Sequence, residues 1–313
     1  MFLAIVAVIG GIALIVLSAD KFVEGAANLA SRFGMSHFLI GLTIVSIGTS
    51  APEIMVSAVA AFNGSPGLAL GNALGSNIAN IGLVLGATAF IFPLVVPRPL
   101  VRREIPLLFL IGLVIYALAS RGVFDLLSGT LLLAVLPGIL YLLAKDELAS
   151  TDNVEIHSMP LGFSIVLTLG GLIVLIGGSQ VLVWGAVNIA RFFGISELVI
   201  GLTIVAVGTS LPELAASVAA ALKNKTDMAL GTVIGSNIFN SLGVIGIASV
   251  ISPFAIATEV LQRDLPWTLG LTLLLYLLAR FSVSGTITRS YGILLLLLYV
   301  SYLWHISATT VPS

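Results

Sequence analysis

The sequence predicts an all-α integral membrane protein with ten transmembrane helices, arranged as two inverted repeats of five helices. Three observations predict this class: the composition, the length of the apolar runs, and a repeat that relates the two halves of the chain. Of the 313 residues, 58% are hydrophobic and only 9% are charged, and the mean hydropathy is +1.18. Soluble domains carry about 25% charged residues, so we expect a lipid bilayer rather than water around most of this chain.

The composition also excludes several functional classes. The net charge of −1 gives no field that would attract a nucleic acid, and the absence of cysteine excludes disulfides and thiolate metal sites. The sequence shows no nucleophile–base pair, no histidine cluster and no nucleotide-binding loop. We therefore expect neither an enzyme nor a bound cofactor.

Ten continuous apolar runs fit the roughly 20 residues that one helix needs to cross a bilayer, whereas the strands of a membrane barrel would alternate polar and apolar residues. The first run has no basic residue before it, which favours a membrane span over a secretory signal. A polar connector, Lys145–Ser158, follows the fifth run and divides the chain almost in half. The predicted spans are, in order, 1–18, 38–62, 67–92, 104–120, 124–144, 161–185, 197–222, 227–251, 264–280 and 290–307.

The two halves of the chain repeat each other at a constant offset. Residues 41–86 align with residues 201–246 without a gap, and 23 of these 46 pairs are identical. Because each half holds five spans, an odd number, the second half must enter the membrane in the opposite orientation. Inverted repeats are typical of secondary transporters, whose sites lie at the repeat interface near the middle of the bilayer. The predicted division is a first repeat over 1–144, an acidic linker over 145–160 and a second repeat over 161–313.

The basic residues predict which loops face the cytoplasm. Ten of the 13 Lys and Arg residues fall in loops on one side of the predicted spans, and three fall on the other side: Arg121, Arg191 and Arg263. The positive-inside rule then places the acidic linker in the cytoplasm and both termini outside it. We expect a multi-pass protein of the cell (inner) membrane.

Glu53 and Glu213 are the only acidic residues deep within the predicted spans, and they occupy equivalent positions in the two repeats. A carboxylate in the membrane is energetically costly and is a functional-site candidate by default. Each one ends the motif Gly-Thr-Ser-x-Pro-Glu, at residues 48–53 and 208–213. On a helix, the threonine and the glutamate of each motif are four residues apart and share one face.

A proline interrupts each of these two helices. Pro52 and Pro212 have no amide donor, so the carbonyls four residues earlier lose their helical partners, and we expect the nearby carbonyls of Ser46 and Ala206 to be displaced as well. Irregular backbone at this depth is tolerated where it lines a cavity or is buried by protein. The prolines therefore predict a cavity lined with oxygen atoms.

A second motif, Gly-Ser-Asn-Ile-x-Asn, occurs at residues 75–80 and 235–240. Its serine and its last asparagine are four residues apart and face the same way on a helix. The middle asparagines, Asn77 and Asn237, fit helix packing and cavity lining equally well. Carboxylate, hydroxyl, amide and carbonyl oxygens are the ligands that hard cations such as Ca²⁺ prefer.

The charge of this predicted site favours an exchange of cations. One Ca²⁺ would neutralise two carboxylates, and two or three Na⁺ would nearly do so. A site that accepts alternative cation loads can carry them across the membrane in turn, because the loaded forms have little net charge. The doubly protonated pair is neutral too, so the charge leaves H⁺ open as the coupling ion.

These duplicated motifs resemble the two alpha repeats of the cation/calcium exchanger superfamily, and the chain is most similar to prokaryotic sodium/calcium exchanger-type membrane proteins. The resemblance implies four central ion-binding helices, spans 2, 3, 7 and 8, against which the long, peripheral spans 1 and 6 slide to alternate access. It also implies carbonyl ligands near Ser46 and Ala206. The side-chain ligands that it implies are Thr49, Ser50, Glu53, Ser76, Asn80, Thr209, Ser210, Glu213, Ser236 and Asn240.

One site residue departs from the pattern of this family. The position of Asn240 is commonly an aspartate, paired with an asparagine at the position of Asn80, whereas here both are asparagine. The change removes one anionic or titratable group from the centre of the site, and it bears on the sodium stoichiometry and the coupling ion. Dedicated proton/calcium exchangers of the superfamily usually carry a different motif, Gly-Asn-x-x-Glu.

The predicted function is therefore a secondary antiporter that exchanges Ca²⁺ for Na⁺ by alternating access. An antiporter that couples Ca²⁺ to H⁺ or to another cation is the alternative within the same class. A passive cation channel is the alternative from a different class. The expected partners are Ca²⁺, Na⁺ and the lipid bilayer.

Overall fold

The computed structural model describes residues 1–32, 35–148, 159–194, 206–282 and 285–310, and most of these residues are helical. Residues 149–158 of the predicted acidic linker and residues 197–205 of the predicted seventh span lie outside the described residues. The protein is an all-α membrane protein built from two repeats. The elements are numbered below in chain order.

The first half supplies the helices of spans 1 to 5. They are α1 (Phe2–Ser31), α2 (His37–Thr49), α3 (Ala51–Phe62), α4 (Pro66–Ile91), α5 (Leu100–Glu104 and Ile105–Ala119) and α6 (Leu126–Leu148).

The second half supplies the corresponding helices of spans 6 to 10. They are α7 (Leu161–Phe192), α8 (Ala206–Thr209), α9 (Leu211–Leu222), α10 (Thr226–Ile251), α11 (Val260–Asp264 and Leu265–Phe281) and α12 (Arg289–Thr310).

Among the described helices, α1, α4, α6, α7 and α10 are each long and apolar enough to cross a membrane, and α2 and α3 together form a sixth, bent span. Burial separates central from peripheral helices. The most apolar windows of α4 and α10 are 72% and 83% buried, whereas those of α1 and α7 are 33% and 28% buried. The core of the molecule therefore lies around α4 and α10.

The peripheral helices α1 and α7 are longer than predicted, with 30 and 32 residues. The α1 helix continues past the apolar run because its later residues, among them Phe22 and Ala26, are fully buried. The two helices pack against each other without side chains between them at several points. A Cβ atom on Gly171, for example, would lie 2.8 Å from the Phe22 amide nitrogen. Small residues allow this close approach, which makes α1 and α7 one two-helix unit.

Two short antiparallel ribbons join loops from opposite halves of the chain. Strand β1 (Leu94–Val95) pairs with β4 (Thr286–Ile287), and β2 (Val123–Phe124) pairs with β3 (Phe254–Ala255). The first ribbon joins the loops between spans 3 and 4 and between spans 9 and 10. The second joins the loops between spans 4 and 5 and between spans 8 and 9. This pairing agrees with the alternation of loops between two faces that ten spans require.

Candidate cation site

Both predicted helix breaks are present, and they have the same backbone geometry. The α2 and α3 helices meet at Ser50 with a bend of 44°. Ser50 has φ −82° and ψ 3°, and Ser210, between α8 and α9, has φ −89° and ψ 4°. These values lie in the sparsely populated bridge region, where many active-site residues are found. The run 38–62 is therefore two helices rather than one, because Pro52 cannot donate the hydrogen bond that would continue α2.

The break places each glutamate in the first turn of a new helix. Glu53 lies in the first turn of α3, and Glu213 lies in the first turn of α9. The N-terminal end of a helix carries a partial positive charge, which stabilises a carboxylate there. Proline is tolerated at the same place because the first amides of a helix have no helical acceptor. The motif thus combines a helix stop, a helix start and an acid within six residues.

The predicted site residues are deeply buried. Glu53 and Glu213 are each 1% exposed. Within the described ranges, neither carboxylate forms an ion pair with a lysine or arginine. Thr209 is half-buried, and only the backbone of Ala206 is described. The other predicted residues are buried: Ser46, Thr49, Ser50, Ser76, Asn80, Ser210, Ser236 and Asn240.

Hydrogen bonds between the two repeats hold the site together. The Ser50 hydroxyl donates to Glu213 Oε1 at 3.1 Å. Between the two asparagine motifs, Asn80 Nδ2 donates to Asn237 Oδ1 at 3.0 Å. Since each bond joins a residue of one half to a residue of the other, neither half forms the site alone.

Close packing of α10 against α2 brings the second-half serines and the first-half backbone together. A Cβ atom on Gly235 would lie 2.5 Å from the Ser46 hydroxyl oxygen and in contact with the Leu42 carbonyl, so only glycine fits there. Ser236 follows directly and is fully buried. The glycine therefore lets the next residue reach the interior of the site.

Several buried oxygens of this site have no hydrogen-bond partner among the described residues. A buried polar atom without a partner is costly, and in a native protein it indicates a water or an ion that completes it. Within the described residues no group of three or more His, Asp or Glu is present that could hold a metal ion. The donor set is instead all oxygen, which suits hard cations. The unpartnered oxygens are Glu53 Oε2, Glu213 Oε2, Asn80 Oδ1, Asn240 Oδ1, Ser210 Oγ and Ser236 Oγ.

The two carbonyls that were expected to be displaced behave differently. The prediction is wrong for Ser46, whose carbonyl accepts the Ser50 amide at 2.9 Å as in an ordinary helix, because the break comes only after Ser50. In the second half the Ser210 amide donates to Val207 at 3.1 Å instead of to Ala206. The Gly208 carbonyl, which Pro212 frees, accepts the Ser179 hydroxyl of α7 at 2.8 Å.

Two further acids are buried that were assigned to span ends. Glu104 and Asp264 are 3% and 7% exposed, so Glu53 and Glu213 are not the only shielded carboxylates. Asp264 accepts from Arg263 at 2.8 Å and from the Tyr302 hydroxyl at 3.0 Å. Its basic partner distinguishes this carboxylate from the glutamates of the site.

Some polar residues beside the site have roles that the motifs did not indicate. Asn77 Nδ2 donates to the Ser241 hydroxyl at 2.9 Å, and Asn237 is bonded to Asn80, so both middle asparagines link α4 to α10. Asn72 bonds to α3 near Glu53. Its spacing was a usable signal, because it lies four residues before Ser76 on the same helix face.

The chain is similar in sequence to known membrane proteins. A family model described as "Sodium/calcium exchanger protein" matches residues 3–145 and 163–308. The chain is 39% identical over 280 residues to the inner membrane protein YrbG of Escherichia coli, covering 84% of this chain and 85% of that protein. It is 29% identical over 340 residues to the sodium/calcium exchanger MaX1 of Methanosarcina acetivorans, covering 94% and 95%.

A solved structure of the sodium-calcium exchanger NCX_Mj, soaked with 10 mM Na⁺ and zero Ca²⁺, matches over almost the whole chain. The TM-score is 0.85 and the sequence identity is 36%, and the match covers 99% of each chain. The similarity therefore extends to both repeats and to the helices around the site.

Proposed function

The chain belongs to the sodium/calcium exchanger protein family, and from that premise we propose that it is a secondary antiporter that exchanges Ca²⁺ for Na⁺. The observation that carries the proposal is the pair Glu53 and Glu213, each 1% exposed, without a basic partner among the described residues and surrounded by unpartnered oxygens. Two buried charges without a counter-ion are unfavourable, so the site needs cations to be stable.

The ligands follow from the same arrangement. We propose that the two carboxylates bind Ca²⁺ from opposite sides and that neutral oxygens complete its shell of six to eight ligands. The proposed carbonyl ligands are those of Ser46 and Ala206; the Ser46 carbonyl keeps a second lone pair beside its helical bond. The proposed side-chain ligands are Thr49, Ser50, Glu53, Ser76, Asn80, Thr209, Ser210, Glu213, Ser236 and Asn240.

Antiport requires that the empty site does not cross the membrane. An empty site carries two negative charges, and moving a charge through the bilayer is strongly unfavourable. One Ca²⁺, or a set of Na⁺ ions, removes this barrier. The ions are the cargo, so the proposed cycle needs no cofactor and includes no enzymatic step.

The two-helix unit of α1 and α7 is the proposed moving part. It is much less buried than the central helices α4 and α10, and it touches the core near one helix break. At one such point Leu172 of α7 lies against Gly48, where a Cβ atom would come within 2.8 Å. We propose that this unit slides across the core and opens the site to each face in turn.

The division of the chain and its orientation are part of the proposal. We propose a first repeat over 1–144, a linker over 145–160 and a second repeat over 161–313, with the linker in the cytoplasm and both termini outside it. The positive-inside rule supports this orientation. A cell inner membrane location is supported by the name of the Escherichia coli relative.

One observation favours a second candidate, exchange of Ca²⁺ for H⁺. Asn80 and Asn240 are both neutral, so the described site has two carboxylates and no third acid to help bind Na⁺. Two carboxylates can also be neutralised by two protons. Proton coupling is therefore the alternative that the experiment must separate from sodium coupling.

The test is Ca²⁺ flux into vesicles that contain the purified protein. An outward Na⁺ gradient at equal pH should drive Ca²⁺ uptake, whereas an outward H⁺ gradient or K⁺ gradient in Na⁺-free buffer should not. Uptake driven only by the H⁺ gradient would select proton coupling. Uptake without any counter-ion, at rates far above those of alternating access, would indicate a channel.

A further inference from the structure

Asn72 of α4 forms a link to α3 that the motifs do not include. Its side-chain nitrogen donates to the Ser57 hydroxyl at 3.0 Å and to the Glu53 backbone carbonyl at 3.3 Å. A carbonyl can only accept a hydrogen bond, so the orientation of the Asn72 amide is determined by its partner. The bond therefore ties α4 to the residue whose side chain supplies one of the two central carboxylates.

The link acts at the point where α3 is least constrained. Glu53 lies in the first turn of α3, directly after the break at Ser50 and the proline at position 52. Helix ends fray more readily than helix interiors, and a residue that follows a break has fewer helical hydrogen bonds to hold it. Asn72 adds a constraint from the neighbouring helix, at the Glu53 carbonyl rather than at the amides that lack helical acceptors.

The second half of the chain has no equivalent link. The residue that corresponds to Asn72 is Thr232, whose hydroxyl donates to the Met228 carbonyl of its own helix at 2.9 Å. The residue that corresponds to Ser57 is Ser217, whose buried hydroxyl has no partner. Glu213 is held instead by its side chain, through the Ser50 hydroxyl at 3.1 Å. The two carboxylates are therefore positioned in different ways.

We propose that Asn72 is a positioning residue for Glu53, which fixes the first turn of α3 and thereby sets how tightly the site holds Ca²⁺ relative to a larger divalent cation. The proposal rests on the cation site described above. Selectivity between cations of similar chemistry depends on the size and rigidity of the ligand cage. A Glu53 that is free to shift would accommodate a larger ion at the expense of Ca²⁺.

The experiment compares equilibrium binding of Ca²⁺ and Sr²⁺ to the full-length protein in detergent without Na⁺. Asn72→Thr introduces the residue that the second half already has at this position, so it is compatible with the helix. We expect the Ca²⁺ Kd to rise by about three- to tenfold, the range that one hydrogen bond accounts for, and the Sr²⁺ Kd to rise less. The preference for Ca²⁺ over Sr²⁺ should fall accordingly.

Matched variants separate positioning from a general loss of stability. Ser217→Ala removes a hydroxyl without a partner at the equivalent place in the second half, so both Kd values should stay at the wild-type level. Ser57→Ala removes one acceptor but leaves the bond to the Glu53 carbonyl, so its effect should be smaller than that of Asn72→Thr. A purely structural defect would reduce the number of sites per chain without changing the ratio of the two Kd values.

The outcomes are distinct. A folded Asn72→Thr protein with wild-type Kd values, or a Ser217→Ala protein with the same loss, would overturn the proposal. If Asn72→Thr does not fold, Asn72→Ser, which reaches neither acceptor, is measured in its place with the same expectation. A wild-type protein that binds no Ca²⁺ would contradict the proposed function itself, and the role of Asn72 would then fall with it.

Discussion

At the scale of single residues, the two glutamates are equivalent in sequence and different in their surroundings. Glu213 accepts the Ser50 hydroxyl, whereas Ser210, the counterpart of Ser50, has a buried hydroxyl with no partner in the part of the chain that the structure describes. The repeat therefore provides an approximate symmetry that individual side chains break. An asymmetric site of this kind can hold different ions at different positions.

Replacing either glutamate with glutamine should stabilise the protein when no cation is bound. When both carboxylates are ionised, the wild-type site holds two charges without a basic partner in the described residues, and Glu53→Gln or Glu213→Gln removes one of them. The thermal midpoint without Ca²⁺ or Na⁺ should rise, by about 2–4 °C for each kcal/mol of relieved repulsion. Calorimetry in detergent measures it.

Added Ca²⁺ provides the internal control for this prediction. Binding to the folded state should raise the wild-type midpoint and leave the midpoints of the glutamine variants unchanged. Glu24→Gln, in a partly exposed ion pair with Lys21, should keep the wild-type response. A glutamine variant whose midpoint rises with Ca²⁺ as far as that of the wild type would show that Ca²⁺ binds elsewhere.

The sequence predicted the residues of the candidate site but not how each is held. Glu53 and Glu213 could be identified because an acid is rare within an apolar run, and this rarity can be seen without coordinates. The hydrogen bond of the Ser46 carbonyl could not be predicted, since it depends on whether the helix breaks before or after Ser50. Asn72 was missed although its spacing from Ser76 places it on the same helix face, because its bonds to Glu53 and Ser57 of the neighbouring helix depend on the tertiary fold.

At the scale of helices, the proline break is the feature that creates the site. The α2 and α3 helices are bent by 44°, and the bend places Glu53 at a helix start. The span itself could be predicted from hydropathy. The bend angle could not, because it depends on how α3 packs against α4.

Pro52→Ala should restore a continuous helix and weaken Ca²⁺ binding. Alanine at position 52 provides an amide that can bond to the Gly48 carbonyl, which would straighten the bend and move Glu53 away from its partners. We expect the Ca²⁺ Kd to rise at least about tenfold, while the thermal midpoint is unchanged or higher. Titration calorimetry measures the Kd.

Pro66→Ala, at the start of α4, is the control and should leave the Ca²⁺ Kd unchanged. A wild-type Kd in Pro52→Ala would contradict the account.

An ion-pair cluster joins the two-helix unit to the core at one face only. Lys223, which follows α9, lies 2.8 Å from Asp20 and 3.9 Å from Glu24 on α1. The residues at the three equivalent positions of the other half are Asn63, Gln180 and Trp184, which carry no charge. This cluster therefore favours the position of α1 that is seen here.

Asp20→Asn should make the two-helix unit easier to move. A partly exposed ion pair contributes up to about 1 kcal/mol, so the maximal exchange rate should rise by up to about fivefold if sliding limits it. Vesicle flux at saturating ion concentrations measures this rate. Lys21→Gln is the control, because Lys21 pairs only with acids of its own helix among the described residues. Equal rates in Asp20→Asn, Lys21→Gln and wild type would contradict a tethering role.

At the scale of the whole molecule, the inverted repeat provides the symmetry by which one site could open to two faces, as the proposed exchange requires. The two β ribbons join loops of opposite halves. One ribbon joins the loops after spans 3 and 9, and the other joins the loops after spans 4 and 8, so each lies on one face. Composition and repeat predicted this architecture, because both are properties of the whole chain. The ends of α1 and α7 were not predicted, although long spans were expected there, since the added residues are held by contacts with each other rather than by hydropathy.

The orientation of the molecule can be tested with single cysteines, because the chain has none of its own. A cysteine in place of Lys223 should be labelled only from the cytoplasmic side, and one in place of Arg121 only from the opposite side. An impermeant maleimide applied to intact cells and to inverted vesicles distinguishes the two. Labelling of both positions from the same side would rule out the predicted arrangement of spans.

The central claim is that the two halves together form one site that holds Ca²⁺ or Na⁺ in alternation. Its most direct test is calorimetric titration of the purified protein with Ca²⁺ at several Na⁺ concentrations. The account predicts one Ca²⁺ per chain, a Kd that rises steadily with Na⁺, and no binding in either Glu53→Gln or Glu213→Gln. Ca²⁺ binding that Na⁺ does not weaken, or that survives loss of one glutamate unchanged, would contradict it.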